Sequence, residues 1–384
     1  MSPDSGHRET IGFQQEVARL QALLEASRRI HGALQIDDVL HCVLEIAVKE
    51  IEADGAFFTP SAALEGAHRT AYGDVPLDPS EWSRYPTFRL HDKLGRVLTS
   101  LVVVRSGEPL TLEEQDFLEG LALQSAVAVD TARQHEQLVA WERMQQDLAS
   151  ARAIQRSLLP QNVPQIPGYC VDYRSNACYE VGGDYVDILK LPDGRYMMVV
   201  ADVAGKGLAS AMVSGSFRAV FRAMALNGLP LDELAGRMNE LHYAEGIEAR
   251  RRYVTAILLR LNADTHTIEC VNAGHNPGFL LDGGGGTTFI ESSGPPLGML
   301  PASSYAVEHG ELAQGGRLLF YTDGLIEVFH DDEEFGEERL LDSFRGCTER
   351  TCGPALDGLW QQLNHFANTA RQTDDMTALA LFRQ

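Results

Sequence analysis

The stretch from Leu121 to Leu159 contains neither proline nor glycine, and Pro160, Pro164 and Pro167 follow it closely. A helix can propagate through the first part and must stop at the second, because proline lacks an amide proton and clashes with the preceding turn. Thr111 and Glu114 have the spacing of a capping box, in which each side chain satisfies the other's backbone N–H, so they mark a start. One long helix is therefore predicted, and the chain on its two sides must fold separately. The expected division is a first domain over 1–135, a helical linker over 136–160 and a second domain over 161–384. Within the linker Trp141, Met144, Leu148, Ala151 and Leu158 recur at three-and-four spacing, with Ile154 or Gln155 at the missing step. Such a seam suits a coiled-coil partner helix, or an amphipathic helix lying on its own domain.

A chain of 384 residues, 44% hydrophobic and 22% charged, can bury cores of this number without disulfide staples. Lys plus Arg is 32 against 54 Asp plus Glu, a formal charge of −22. That charge repels nucleic acid and anionic membranes, so neither is expected as a partner. The six cysteines are scattered and form no CxxC pair, as in a protein of a reducing cytoplasm. No stretch approaches the ~18 apolar residues of a membrane span. The start, MSPDSGHRET, lacks the basic and apolar regions of a signal peptide, so a cytoplasmic location is expected.

In the first domain two helical stripes are read, at Phe13, Val17, Leu20 and Leu24, then at Val39 or Leu40, Val43, Ala47 and Ile51. Short strands rich in Phe, Thr and Val follow over 56–59, 87–90 and 97–104. The second domain alternates strand runs over 169–174, 185–191, 196–201, 253–261, 267–271, 279–281 and 317–321 with helical patterns over 208–226, 231–244, 337–344 and 356–370. Pro192-Asp193-Gly194 is a hairpin signal between two of the strands. Runs of strands interrupted by paired helices give an α+β class, with helices packed on sheets. Gly283 to Gly286 reads as a loop tip.

Four short acidic motifs in the second half sit at predicted strand ends: Gly182-Gly183-Asp184, Ala201-Asp202-Val203-Ala204-Gly205-Lys206-Gly207, Tyr321-Thr322-Asp323-Gly324 and Thr373-Asp374-Asp375-Met376-Thr377. Any one of them could be ordinary turn chemistry, since Asp-Gly is common in turns. Together they offer carboxylate oxygens beside glycines that let a ligand approach, which is what hard divalent cations such as Mg2+ or Mn2+ take.

These residues resemble the metal-dependent (PPM) serine/threonine phosphatases, in their SpoIIE/RsbU-like branch. The likeness runs from about Leu158 to Phe382 and keeps the family's order: Leu158-Leu159-Pro160, VGGDYVD (181–187), ADVAGKG (201–207), TAIL (255–258), NAGHNP (272–277), GPPLG (294–298), YTDGLIE (321–327), FGEERL (335–340) and TDDMT (373–377). It implies an αββα sandwich with two Mn2+ or Mg2+ ions at one edge. Asp202 would bridge both ions and the Val203 carbonyl would add a ligand. Asp184 would serve one ion, Asp323 and Asp374 the other. Those four aspartates are the catalytic candidates, and the neighbouring Asp375 is grouped with His275 and Lys206 as a substrate-binding candidate. His275 could orient substrate or protonate the leaving oxygen, or stabilise its own turn; Lys206 could attract phosphate. No counterpart of the phosphate-binding arginine of eukaryotic relatives is visible.

The implied reaction is hydrolysis of phosphoserine or phosphothreonine on a protein without a phospho-enzyme intermediate. Two ions ~3.5–4 Å apart activate water and neutralise phosphoryl charge, so no cysteine or serine nucleophile is needed. In relatives with this layout the substrate is a phosphorylated anti-anti-sigma (STAS-type) protein. Residues 37–128 of the first domain resemble a GAF-type sensory module, chiefly through 109–128, and control would pass through the helical linker, which would also support a homodimer. Two rivals are weighed. A diguanylate cyclase is suggested by Gly182-Gly183-Asp184, but Tyr185-Val186 follow where Glu-Phe would be expected. A catalytically inactive module that binds a phosphoprotein would be free to lose its carboxylates, and all four are present. Arg250, Arg251 and Arg252 form the tight basic cluster of an acidic chain, suited to solvent or to an acidic partner.

Overall fold

The computed structural model describes residues 21–61 and 71–384. Phe13, Val17 and Leu20 of the first expected stripe lie outside them. The chain divides into two compact units, 1–145 and 146–384, and the division falls inside the predicted linker.

The first unit holds helix α1 (21–31), helix α2 (Ile36–Glu50) and an antiparallel sheet of order β2-β1-β4-β3, from β1 (Gly55–Phe58), β2 (Ala71–Gly73), β3 (Thr87–His91) and β4 (Val97–Val104). Val39, Leu40, Val43, Ala47 and Ile51 are all buried, as their helical spacing requires. They pack with Leu101 and Val103 of β4 and with Leu118, Leu121 and Val129 of the long helix. In α1 the buried positions are Ala26 and Ile30 while Leu24 faces solvent, a correction to the expected stripe. The long helix, α3, spans Leu112–Leu158. Its capping box is made: Thr111 N–H donates to Glu114 at 2.8 Å and Glu114 N–H donates to the Thr111 hydroxyl at 3.2 Å. Trp141 and Met144 of the seam are exposed.

The second unit is a four-layer αββα sandwich. One five-stranded antiparallel sheet has the order β12-β9-β8-β7-β6 and the other β11-β10-β13-β16-β5. The first contains β6 (Tyr185–Lys190), β7 (Tyr196–Val203), β8 (Val254–Asn262), β9 (Thr267–Ala273) and β12 (Glu308–Glu311). The second contains β5 (Tyr169–Asn176), β10 (Gly278–Leu281), β11 (Thr287–Ile290), β13 (Arg317–Tyr321) and β16 (Met376–Arg383), and a separate two-stranded ribbon is made by β14 (Phe329–His330) and β15 (Glu333–Glu334). Side chains alternate between sheet faces, so each central strand splits its apolar residues between two cores. Met198 and Val200 meet Ile257, Phe320, Leu379 and Leu381 between the sheets. Met197 and Val199 face outward onto helices α4 (Leu208–Ala225) and α5 (Leu231–Ala244). Leu319, Tyr321, Ala378 and Ala380 face outward onto α7 (Gly336–Arg345) and α8 (Cys352–Ala367). A short helix α6 (Ile247–Arg250) links α5 to β8.

One polar group is locked inside these layers. Asp187 of β6 is fully buried and accepts both Nε (2.6 Å) and Nη2 (2.9 Å) of Arg222 on α4, with the Tyr185 hydroxyl as a third donor. Among the described residues no helix is long and apolar enough to cross a membrane.

Candidate metal centre

The sandwich brings the acidic motifs together because each lies at or next to one end of a strand, on the same edge of the two sheets. In the first sheet Tyr185 pairs with Ala201, so Asp184 and Asp202 leave adjacent strands side by side. In the second, Tyr321 pairs with Ala378 and Thr322 N–H donates to Thr377 O at 2.9 Å, which sets Asp323 next to Asp374 and Asp375. Two hydrogen bonds tie the sheets at this edge. The Thr322 hydroxyl donates to Asp184 Oδ2 at 2.8 Å, and Gly183 N–H donates to Asp375 Oδ2 at 2.6 Å.

The glycines serve close approach. A Cβ on Gly183 would stand 2.8 Å from the Val203 carbonyl oxygen and 3.3 Å from Asp202 Oδ1, and one on Gly324 would collide with the Asp375 carbonyl. Gly205 and Gly207 adopt φ of +100° and +78°, which lets the chain turn sharply from Asp202 into α4.

Crowded acids at a partly dry edge resist ionisation. Burial, then the charges of Asp202 and Asp375, hold Asp184 well above the usual carboxylate range. Burial followed by Asp323 and Asp374 pushes Asp202 up to about 7, and burial followed by Glu327 and Asp374 pushes Asp323 up to about 6. Among the described residues Asp184, Asp202 and Asp323 have no ion-pair partner, while Lys206 Nζ stands 2.8 Å from Asp374 Oδ2. Lys206 also donates to the Thr373 carbonyl at 2.7 Å. The donor set is therefore all oxygen and rich in uncompensated negative charge, which suits hard divalent cations. Among the described residues no three carboxylate, imidazole or thiol groups are drawn tightly enough to cage one ion as they stand.

The remaining expected residues fall beside or behind this edge. Asp375 is buried and its two oxygens accept Cys178 N–H at 2.7 Å and Gly183 N–H at 2.6 Å. His275 is 5% exposed, and burial lowers its pKa to about 4, so the ring is neutral. Its Nδ1 lies 2.9 Å from the Thr255 hydroxyl, and Thr255 pairs with Asp202 across β7 and β8. Two further residues, named above only as part of a motif or a seam, hold the loops of this edge. Thr322 orients Asp184, and Gln155 of α3 binds the Gly182 peptide. Gln155 had one visible signal, a polar residue at a step of the apolar seam.

Known proteins resemble this chain in sequence and in fold. The family model described as Stage II sporulation protein E (SpoIIE) matches residues 192–384, which includes Asp202, Asp323 and Asp374 and stops short of Asp184. Phosphoserine phosphatase RsbP of Bacillus subtilis is 30% identical over 185 residues, covering 47% of this chain and 45% of RsbP. Protein IcfG of Synechocystis is 27% identical over 267 residues, covering 62% of this chain and 41% of IcfG. The chain thus spans about half the length of the curated relatives it matches. The SiaA-PP2C domain of Pseudomonas aeruginosa has the same fold, with a TM-score of 0.57, 21% identity, and coverage of 64% of this chain and 98% of that one. The RsbU and RsbW domains of Rv1364c from Mycobacterium tuberculosis align at a TM-score of 0.50 and 26% identity, over 58% of this chain and 62% of theirs. With half of its residues matched and its carboxylates gathered at one edge of an αββα sandwich, the chain belongs to the SpoIIE family.

Proposed function

We propose that the protein is a metal-dependent protein phosphatase that hydrolyses phosphoserine or phosphothreonine. The observation that carries this reading is the convergence of Asp184, Asp202, Asp323 and Asp374, from four distant segments, at one edge where the first three lack a cation. Asp202 and Asp184 would hold one Mn2+ or Mg2+ together with the Val203 carbonyl, and Asp202 would share a second ion with Asp323 and Asp374. When bound, such ions lower the pKa of water and offset the charge of a phosphoryl group. Everything else the chain supplies is positioning. Thr322 holds Oδ2 of Asp184 and so fixes the orientation of that carboxylate. Asp375 pins the 178–183 loop through two backbone N–H groups, and His275 supports the Asp202 strand through Thr255. We assign both a holding role, in place of contact with substrate. Lys206, released from Asp374, is placed to meet an anionic substrate.

The RsbP and RsbU relatives are named phosphoserine phosphatases. By that likeness the proposed substrate is a phosphorylated anti-anti-sigma (STAS-type) regulator in the cytoplasm. The first unit would act as a GAF-like sensory module. The exposed Trp141 and Met144 would support pairing of two copies through the helical linker. A second reading, an inactive module that binds a phosphoprotein, is favoured by one observation, the Lys206–Asp374 ion pair. Hydrolysis of p-nitrophenyl phosphate with Mn2+, repeated with Asp202→Ala and Asp323→Ala, separates them. The phosphatase requires Mn2+-dependent turnover that both variants lose; an inactive wild type that still retains a phosphoprotein requires the module.

A further inference from the structure

We propose that Arg251 and Arg252 form an anion-recognition patch beside the candidate metal centre, which docks an acidic segment flanking the phosphorylated residue of a protein substrate; this rests on the phosphatase reading above.

Strand pairing places the patch. Val254 pairs with Val203, and Ala204 N–H donates to Tyr253 O at 2.9 Å, so the arginines precede the strand that runs beside the Asp202 turn. At about 3.3 Å per residue, Arg252 lies within about 10 Å along the chain of Thr255, the partner of Asp202. The patch thus lies at the end of the sheet from which the Asp202 turn leaves.

The segment is rigid. The buried His242 places Nε2 2.9 Å from Arg252 O and 3.2 Å from Ala249 O, clamping the turn at both ends. Arg250 is consumed by the fold: its guanidinium sits 3.8 Å from the Tyr243 ring centre and its Nε donates to Tyr243 O at 2.8 Å. Arg251 and Arg252 both turn to the Glu248 carboxylate, at 3.2 Å and 3.8 Å, and the less exposed Arg252 also donates from Nη1 to Glu248 O at 3.3 Å, which fixes its guanidinium at the rim. The side chains of Glu248 and Arg251 are 76% and 70% exposed. Ion pairs this exposed contribute little, so an incoming carboxylate can take the place of Glu248 at small cost. Glu248 marks the position that a partner's acid would occupy.

The charge distribution selects the partner. The whole chain carries −22, and its site gathers five aspartates, so an acidic protein needs a local positive rim to approach. Two guanidiniums suit a short acidic peptide segment. An extended polyanion such as nucleic acid needs a broad basic face, which the net charge opposes.

The test uses the full chain with Mn2+ and the double variant Arg251→Glu/Arg252→Glu, with Arg251→Ala/Arg252→Ala as the milder pair should reversal impair folding. Three substrates are compared: p-nitrophenyl phosphate, a phosphoserine peptide flanked by Asp and Glu, and the same peptide flanked by Asn and Gln. Reversal should raise KM for the acidic peptide roughly tenfold and flatten its salt dependence, with the other two substrates changed less than about twofold. An unchanged KM for the acidic peptide overturns the proposal, as does an equal loss on all three substrates. Fluorescence anisotropy of the labelled acidic phosphopeptide judges the patch apart from catalysis. If wild type turns over none of the substrates, the phosphatase reading fails, yet weaker peptide binding in the variant still supports the patch and unchanged binding overturns it. Binding of an oligonucleotide that the variant abolishes, with peptide binding unaffected, also overturns it.

Discussion

The side chain of Gln155 on α3 pairs with the backbone of Gly182 as a strand would. Its Nε2 donates to Gly182 O at 2.6 Å and its Oε1 accepts Gly182 N–H at 3.1 Å. The next residue, Gly183, is held by Asp375, and the one after that is Asp184. The end of the helix therefore grips the loop that carries a candidate ligand. Replacing Gln155 with Ala removes two hydrogen bonds of about 1 kcal/mol each. The expected result is a 5- to 30-fold rise in the Mn2+ concentration for half-maximal turnover, with the melting temperature lowered by no more than about 4–8 °C. An unaltered Mn2+ titration would show that the grip does not position Asp184.

Protonation gives a second prediction. A free aspartate ionises near 3.9, whereas Asp202 is held up to about 7 and Asp323 up to about 6. Between about pH 4 and 7 the folded, metal-free protein therefore binds more protons than the unfolded chain. Stability present at low pH is lost as pH rises through the folded values. In EDTA the melting temperature should fall from about pH 5.5 to 8, and Asp202→Asn should flatten the slope. Mn2+ should raise the melting temperature more at pH 8 than at pH 5.5, because protons compete for the same oxygens. A metal-free melting temperature that rises over this window would contradict the crowding of these acids.

The buried pair between β6 and α4 makes a third. Arg222→Met leaves Asp187 without its cation in a fully buried position. Breaking such a pair costs about 3–5 kcal/mol. Urea denaturation should show a loss of that order, and Asp187→Asn combined with Arg222→Met should lose less than the sum of the two single changes. Additive losses would mean that the pair is not coupled.

Gly183→Ala tests close approach. The new methyl would stand 2.8 Å from the Val203 oxygen, so the loop must shift and take Asp184 with it. Misplacement by about 1 Å commonly costs about a hundredfold in rate. Turnover should fall 10- to 100-fold while circular dichroism stays native; full activity would refute the role given to this glycine.

Much of this was legible in the sequence where pattern and chemistry coincide. The apolar runs of β6, β7 and β8 and the Pro192-Asp193-Gly194 hairpin are legible, because strands buried between helices and a second sheet need continuous apolar residues. The acidic motifs pointed to strand ends, and the strand ends meet. Strand β16, central to its sheet, was hidden by alanine-rich Met376-Thr377-Ala378-Leu379-Ala380, a composition of weak strand preference. Strand β12, Glu-His-Gly-Glu, is exposed throughout and is defined by pairing with β9 alone. The Lys206–Asp374 pair and the Thr322–Asp184 bond join residues more than a hundred positions apart, and no local signal announces them. The burial of His275 was invisible for the same reason: the turn motif shows the hydrogen bonds near in sequence and not the layers that cover it.

Crystals grown with Mn2+ and measured at the manganese absorption edge test the central claim most directly. The account predicts two anomalous peaks at the shared edge of the sheets, contacting Asp184, Asp202, Asp323 and Asp374, with Lys206 displaced from Asp374. Saturating Mn2+ with no peak at that edge, and Lys206 still paired with Asp374, would contradict it.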